Sequence, residues 1–347
     1  MKKRRGTILL KDINPRQKVA ILRILRDARE PIGSAIISGE LKKYGFDLSG
    51  RTIRLYLQKM EDDGLVTSAR RGRDGGRTIT PEGVDEIHDA LVTERVGFMA
   101  SKLDELSYLV TFEPEKRQGE IVLNMTLIDA ALRRKAVRCM IPVFEAGMGM
   151  GEYVAFIPEG ETLGEYQIPE GKLGIGTICS VTLNGVLLQA GIPVISVFGG
   201  VLEIDQGVPA RFTDIIHYGS TSLDPLEIFI KGKLTSVRDV AEKGFGRLGA
   251  SFREIPSSSL DLFREVRQTM RDVKLEGILL MGKPSQSLLG FPVEEGRTGF
   301  VVAGGLNPVS AIEESGIPTI NHALSALYDF NRLIHYTQMM DSVEQMK

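Results

Sequence analysis

The 347-residue sequence has no tryptophan, two cysteines and four histidines. Cys139 and Cys179 stand alone, in neither a CxxC pair nor a Cys/His cluster. That removes a disulfide framework and a zinc site from the reading and makes a reducing, cytoplasmic setting the expectation. The histidines, at positions 88, 217, 322 and 335, have no ligand spacing. Long hydrophobic runs are also missing. The most apolar stretch, 185–202, carries Gln189, Pro193 and four glycines, which fits a buried helix and strand better than a membrane span. The opening MKKRRGTILL is basic but lacks an apolar core of signal-peptide length. GxxxxGK[ST], HExxH and GxSxG patterns are absent, and GMGMG at 147–151 opens no dinucleotide-binding unit. Catalysis therefore finds little support, and no cofactor is expected.

Charge is present but unevenly placed. The first 81 residues hold 19 lysines and arginines against 9 aspartates and glutamates, and the remainder holds 24 against 36. A head of net +10 on a body of net −12 is the footprint of a segment that meets a polyanion.

The head has the order of a winged helix. Asn14-Pro15 fits a helix cap and first turn, and Ile21, Ile24, Leu25 and Ala28 form one apolar stripe after it. Ser34 is placed to cap a short second helix that ends at Gly45. Ser49 caps a third, whose Ile53, Tyr56, Leu57 and Met60 form the buried stripe opposite Arg51, Arg54, Leu55 and Gln58. LVTS, ARRGRDGGR and TIT then read as strand, arginine-rich hairpin tip and strand. A helix with a polar outer face fits the major groove of duplex DNA. The candidate DNA-binding residues are Ser49 and Thr52 for phosphates, Arg51, Arg54 and Gln58 for base edges, and Arg70, Arg71, Arg73 and Arg77 on the wing. Residues 82–112 read as a connecting helix or linker.

The body is duplicated. Gly191-Ile192-Pro193 repeats as Gly316-Ile317-Pro318, an offset of 125 that also aligns Glu170-Gly171-Lys172 with Glu295-Gly296-Arg297, Gly174 with Gly299, and Ile195 with Ile320. Each copy reads strand, helix, glycine-rich hairpin, strand, loop, helix, GIP, strand, with halves near 113–230 and 231–347. The fold class is accordingly α+β multidomain: a winged helix over 1–81, then an internally duplicated mixed α/β domain over 113–347 for effector binding and dimerisation. Small polar residues gather at the strand ends. Thr177, Cys179, Ser180, Thr182, Asn184, His217 and Asn307, with Lys172 and Arg297 at equivalent hairpin positions, are the candidate contacts for a small carboxylate.

PIGSAIISGELKKYGFDLSGRTIRLYLQKMEDDGLV resembles the winged helix of the archaeal nitrogen-regulation repressors, the NrpR family. GKLGIGTICSVTLNGVLLQAGIPV and HYGSTSLDPLEIFI resemble that family's effector domain. The resemblance covers nearly the whole chain. It implies a homodimer that represses nitrogen-assimilation and nitrogen-fixation genes from an inverted-repeat operator on double-stranded DNA, with 2-oxoglutarate as the effector that weakens DNA binding. Competing readings are an enzyme acting on a small oxo acid through a fused winged-helix head, and a protein-binding scaffold.

Overall fold

The computed structural model describes residues 13–28, 30–68, 76–89, 97–164 and 166–346. The chain divides into two compact units, 1–94 and 95–347.

In the first unit, α1 (Pro15–Asp27), α2 (Ser34–Leu41) and α3 (Gly50–Asp62) precede β1 (Val66–Ser68), β2 (Arg77–Ile79) and α4 (Pro81–Asp89). Local chemistry sets the boundaries. Asn14 accepts the Arg16 amide at the start of α1, Ser49 accepts the Thr52 amide at the start of α3, and Gly45 and Gly64 take left-handed backbone angles after α2 and α3. Gly33, rather than Ser34, occupies the cap position of α2, and Ser34 is the helix's first residue. Ile21, Leu22, Leu25, Ile37, Leu41, Ile53, Leu57 and Met60 form the core, closed by Ile87 from α4. Strands β1 and β2 pair antiparallel, Val66 opposite Ile79.

The second unit opens with α5 (Phe98–Leu109). The expected connecting segment over 82–112 is thus divided. α4 completes the head core through Ile87, whereas Met99 and Leu103 of α5 belong to the body core. The first copy of the repeat runs β3 (Glu120–Asp129), α6 (Arg133–Glu145), β4 (Tyr153–Ile157), a small hairpin β5 (Thr162–Leu163) and β6 (Tyr166–Gln167), β7 (Lys172–Ile178), α7 (Val181–Gln189), β8 (Ile195–Asp205) and β9 (Val208–His217). Two short helices, α8 (Pro225–Lys231) and α9 (Val237–Lys243), separate it from the second copy. That copy runs β10 (Gly246–Pro256), α10 (Leu260–Asp272), β11 (Ile278–Met281), β12 (Arg297–Ala303), α11 (Asn307–Glu314) and β13 (Ile320–Asp329), followed by β14 (Ile334–His335) and α12 (Met339–Gln345).

The repeated GIP is a helix stop. Gly191 and Gly316 both sit at φ +82°, and the next amides, Ile192 and Ile317, donate back to Leu187 and Ile312 while their side chains are buried. Proline then prevents the helix from continuing.

The two copies are interlocked. One antiparallel sheet has the order β13-β3-β7-β4-β14 and the other β11-β12-β10-β8-β9. After α7 the chain leaves the first copy's sheet, and β8 pairs with β10 of the second. After α11 it returns, and β13 pairs with β3 of the first. The expected halves near 113–230 and 231–347 are therefore halves of sequence only, because each sheet draws strands from both. Helices follow the same exchange: α6 packs beside α11, and α10 touches α7.

α5 is held against α7 at close range. A Cβ on Gly185 of α7 would lie 2.4 Å from Val110 Cβ and 2.8 Å from the Ser107 carbonyl oxygen. Gly185→Ala sets about 1 kcal/mol of helix propensity against that overlap. We expect the overlap to win, with a net loss of about 1–3 kcal/mol in urea unfolding; a stabilised variant would show that the α5–α7 contact yields without strain.

Candidate functional site

On the head, α3 presents the expected two faces. Ile53, Leu57 and Met60 are buried, while Arg51, Arg54, Leu55 and Gln58 are exposed. Ser49 and Thr52 are mutually engaged, their hydroxyls 2.9 Å apart, in capping the helix. The Arg54 guanidinium donates to Ser34 Oγ at 3.2 Å, bridging α3 to the start of α2. Arg77 departs from its expected role. It is half-buried, donates to Ser68 Oγ at 2.9 Å and pairs with Glu61 at 2.9 Å, so it fixes the root of the wing to α3 and is not free to meet a polyanion. Arg70, Arg71 and Arg73 lie outside the described residues.

In the body, the structure brings together Cys179, Ser180 and Asn184 from the start of α7, Tyr218 and Asp224 from the loop before α8, and Arg253 from β10. Arg253 was not among the sequence candidates. It is only 1% exposed. Its guanidinium donates to the Ser180 carbonyl (2.8 Å), Ser180 Oγ (2.5 Å), Asn184 Oδ1 (2.5 Å) and Ser251 Oγ (3.1 Å). All four acceptors are neutral, and among the described residues no carboxylate pairs with it. A buried charge without a counter-charge is costly and rare. Burial lowers its proton affinity, as expected for a cation removed from water.

Other groups here respond to the same enclosure. Burial pushes the Cys179 thiol up to about 12, so it is protonated at neutral pH and is no nucleophile. Burial raises Tyr218 as well. Asp224 is pushed up to about 6 by burial, against the opposing effect of the Leu226 and Glu227 amides it caps. Glu227, which accepts the Ala323 amide, is pushed up to about 7 by burial. Lys102, half-buried on α5, acts electrostatically on Cys179, Asp224, Glu227 and His322. On β7, Thr177 Oγ1 is buried with no hydrogen-bond partner among the described residues.

Five sequence candidates serve elsewhere. Thr182 Oγ1 accepts the Val122 amide at 3.1 Å, and Asn307 accepts the Gly249 amide at 2.9 Å while donating to the Gly249 and Met148 carbonyls. These are the same clip in the two copies, a helix start tied to the neighbouring strand, and they leave neither side chain for a ligand. Lys172 and Arg297 begin β7 and β12, seven residues before Cys179 and Gly304 and so about 20 Å away along an extended strand. Arg297 is also paired with Glu254 at 3.0 Å. His217 is exposed and packs edge-on to Phe198, whose ring stacks on Phe252. Phe252 and Arg253 are neighbours in a strand and face opposite ways.

Asp224 and Glu227 hold their protons more tightly in the folded state than in the unfolded chain. Unfolding therefore releases protons, and their contribution favours folding at low pH and is lost as pH rises between about 4 and 7. An Asp224→Asn/Glu227→Gln double variant should gain stability over the parent at about pH 8, on the order of 1–3 kcal/mol, and lose that advantage near pH 5. Parallel melting curves of the two proteins across that range check it; a constant gap would mean that burial does not hold these protons.

Comparison with known proteins agrees with this architecture. Residues 96–335 match the family model for the NrpR regulatory domains NRD1 and 2, and residues 19–87 match the winged-helix domain of ribonuclease R. The chain is 36% identical over 318 residues to the global nitrogen regulator NrpRI of Methanosarcina mazei, covering 92% of this chain and 97% of the relative. It is 31% identical to NrpR of Methanocaldococcus jannaschii and 30% to that of Methanococcus maripaludis, covering 89% and 91% of this chain but 52% and 54% of theirs, so it spans about half their length. A crystal structure of a nitrogen repressor-like protein from Methanococcus jannaschii superposes with a TM-score of 0.59 at 28% identity, covering 69% of this chain and 98% of that one. These relatives are named as regulators rather than enzymes, and among the described residues no helix is long and apolar enough to cross a membrane. The basic winged-helix head, the interlocked duplication and these matches together make the chain a member of the NrpR family of nitrogen regulators.

Proposed function

We propose that this chain is a DNA-binding repressor of nitrogen-assimilation and nitrogen-fixation genes. It acts as a homodimer on an inverted-repeat operator, and 2-oxoglutarate weakens that binding. Two winged helices would read two half-sites, with Arg51, Arg54 and Gln58 on the exposed face of α3.

The observation that carries the effector reading is Arg253. A guanidinium enclosed at the start of α7, with only neutral acceptors, is prepared for a carboxylate that the chain does not itself supply. Asn184 and Ser180, which accept from Arg253, come from the motif that also carries the family resemblance. Because Arg253 is closed off, a ligand reaches it only if its cover moves. We take α5 as part of that cover, because it packs on α7 and on residues 218–220, with the Met99 amide on the Thr221 carbonyl. α5 is also the body's first helix after the head. Effector entry and the path of the chain into the head are thereby coupled, and the coupling requires that the effector bind one arrangement of α5 better than the other.

Fluorescence anisotropy with a labelled duplex from the protein's own promoter, titrated with and without 2-oxoglutarate, tests the whole reading. Arg51→Ala and Gln58→Ala should each cost about 1–3 kcal/mol of operator affinity if they read bases, with the cost confined to particular base pairs. Equal weakening on every sequence would limit them to phosphate contacts.

Arg253→Met should retain operator affinity but lose the response to 2-oxoglutarate. It should lose little stability without ligand, because removing an unpaired buried charge offsets much of the cost of leaving its buried acceptors without a donor. Destabilisation by several kcal/mol would make Arg253 a structural tie instead.

A further inference from the structure

On a different surface of the body, α6 and α9 enclose a cleft of about 210 Å³. Lys135, Arg138, Arg238 and Glu242 line it above a floor that includes Cys139 and Pro142. Lys135, Arg138, Cys139 and Pro142 follow the one-face spacing of a helix, opposite the buried Ala136, Val137 and Met140. The cations converge here in a part of the chain where acidic residues are in excess, 36 against 24 beyond residue 81.

The neighbouring cations on α6 have partners. Arg133 donates to the backbone carbonyls of Val343 and Met346, and Arg134 meets Glu344 at 3.7 Å. Lys135 and Arg138 have none among the described residues. Three residues apart on one helix, they repel each other. Arg238 has only Glu242, at 3.6 Å and exposed to solvent, which offsets one of the three charges.

We propose that this cleft binds a small phosphorylated ligand through Lys135, Arg138 and Arg238. Three cations supplied by two helices suit the many oxygens and multiple charge of a phosphate or pyrophosphate group. A single planar carboxylate would occupy one guanidinium fork and leave the others repelling. The cleft has room for about seven water volumes, enough for pyrophosphate and too little to seat a nucleic acid duplex. The site is remote from Arg253 in its residues and independent of the effector reading.

Calorimetric titration of the full chain with inorganic pyrophosphate at low salt tests the proposal. Binding should occur, weaken as salt is added, and fall about tenfold or more in each of Arg138→Ala and Arg238→Ala. It should be unchanged in Arg264→Ala, whose guanidinium pairs with Asp261 on α10. All three positions are exposed, so circular dichroism should show intact folds. Absence of binding to the full chain, or equal binding by Arg138→Ala and the Arg264→Ala control, overturns the proposal. So does full competition by citrate, which would give the cleft to carboxylates. Loss of operator affinity in Arg138→Ala without any pyrophosphate binding also overturns it and assigns the patch to the DNA backbone.

Discussion

Neither copy of the repeat finishes its own sheet. β8 leaves for the partner sheet through the turn after α7, β13 leaves through the turn after α11, and the two GIP stops make both departures possible. Everything else in the body follows from this exchange. A sheet that lacks its borrowed strand would expose the whole hydrogen-bonding edge of β3 or β10, so the copies fold together or not at all. The exchange also places the start of α7, from one copy, over β10, from the other. Arg253 can meet Ser180 and Asn184 only because the copies are interlocked.

That meeting point is energetically odd. Buried polar groups elsewhere are satisfied from within, as where the Thr182 and Asn307 clips close two backbone positions and Glu314 caps α9 while receiving Thr235; the Thr177 hydroxyl is an exception. Arg253 has four good hydrogen bonds and still lacks a negative charge. Hydrogen bonds to neutral oxygens recover part of the solvation lost on burial, but only a charge recovers the rest. Asp224 and Glu227 in the same region do not pair with Arg253, and burial raises them to about 6 and about 7.

Much of this was legible in the sequence. The head was, because its caps, glycine stops and apolar stripes are local signals with a 3.6-residue period. So was the repeat, because GIP and the EGK/EGR hairpins recur at one offset. The strand exchange was not, since nothing local says which sheet a strand joins. Arg253 was missed for a related reason. In GRLGASFREIP, Leu248, Ala250 and Phe252 alternate with Gly249, Ser251 and Arg253, the pattern of a strand with one wet face. Both faces of β10 are covered because sheets and helices from two copies enclose it. Lys172 and Arg297 drew attention by their symmetry, but symmetry placed them at the far ends of their strands. Arg77 looked like one more wing arginine, and Glu61 on the adjacent helix is what distinguishes it.

α5 is held in place differently from the two sheets. Each sheet is clamped by a strand of the other copy, so a shift in one would have to break ladders in both. α5 joins no strand ladder, although it packs against β13. It is held by apolar packing through Met99 and Leu103, by the Gly185 contact with Val110, and by a few hydrogen bonds such as that from the Gln189 amide to the Val110 carbonyl. A helix held in this way can move as a body while its own backbone bonds stay intact, and its few external ties can be remade one turn or one side chain away. It packs on α7 and on residues 218–220 and begins at Phe98. The helix whose start supplies Ser180 and Asn184 to Arg253, α7, is therefore braced by an element held through side-chain packing rather than through a strand ladder.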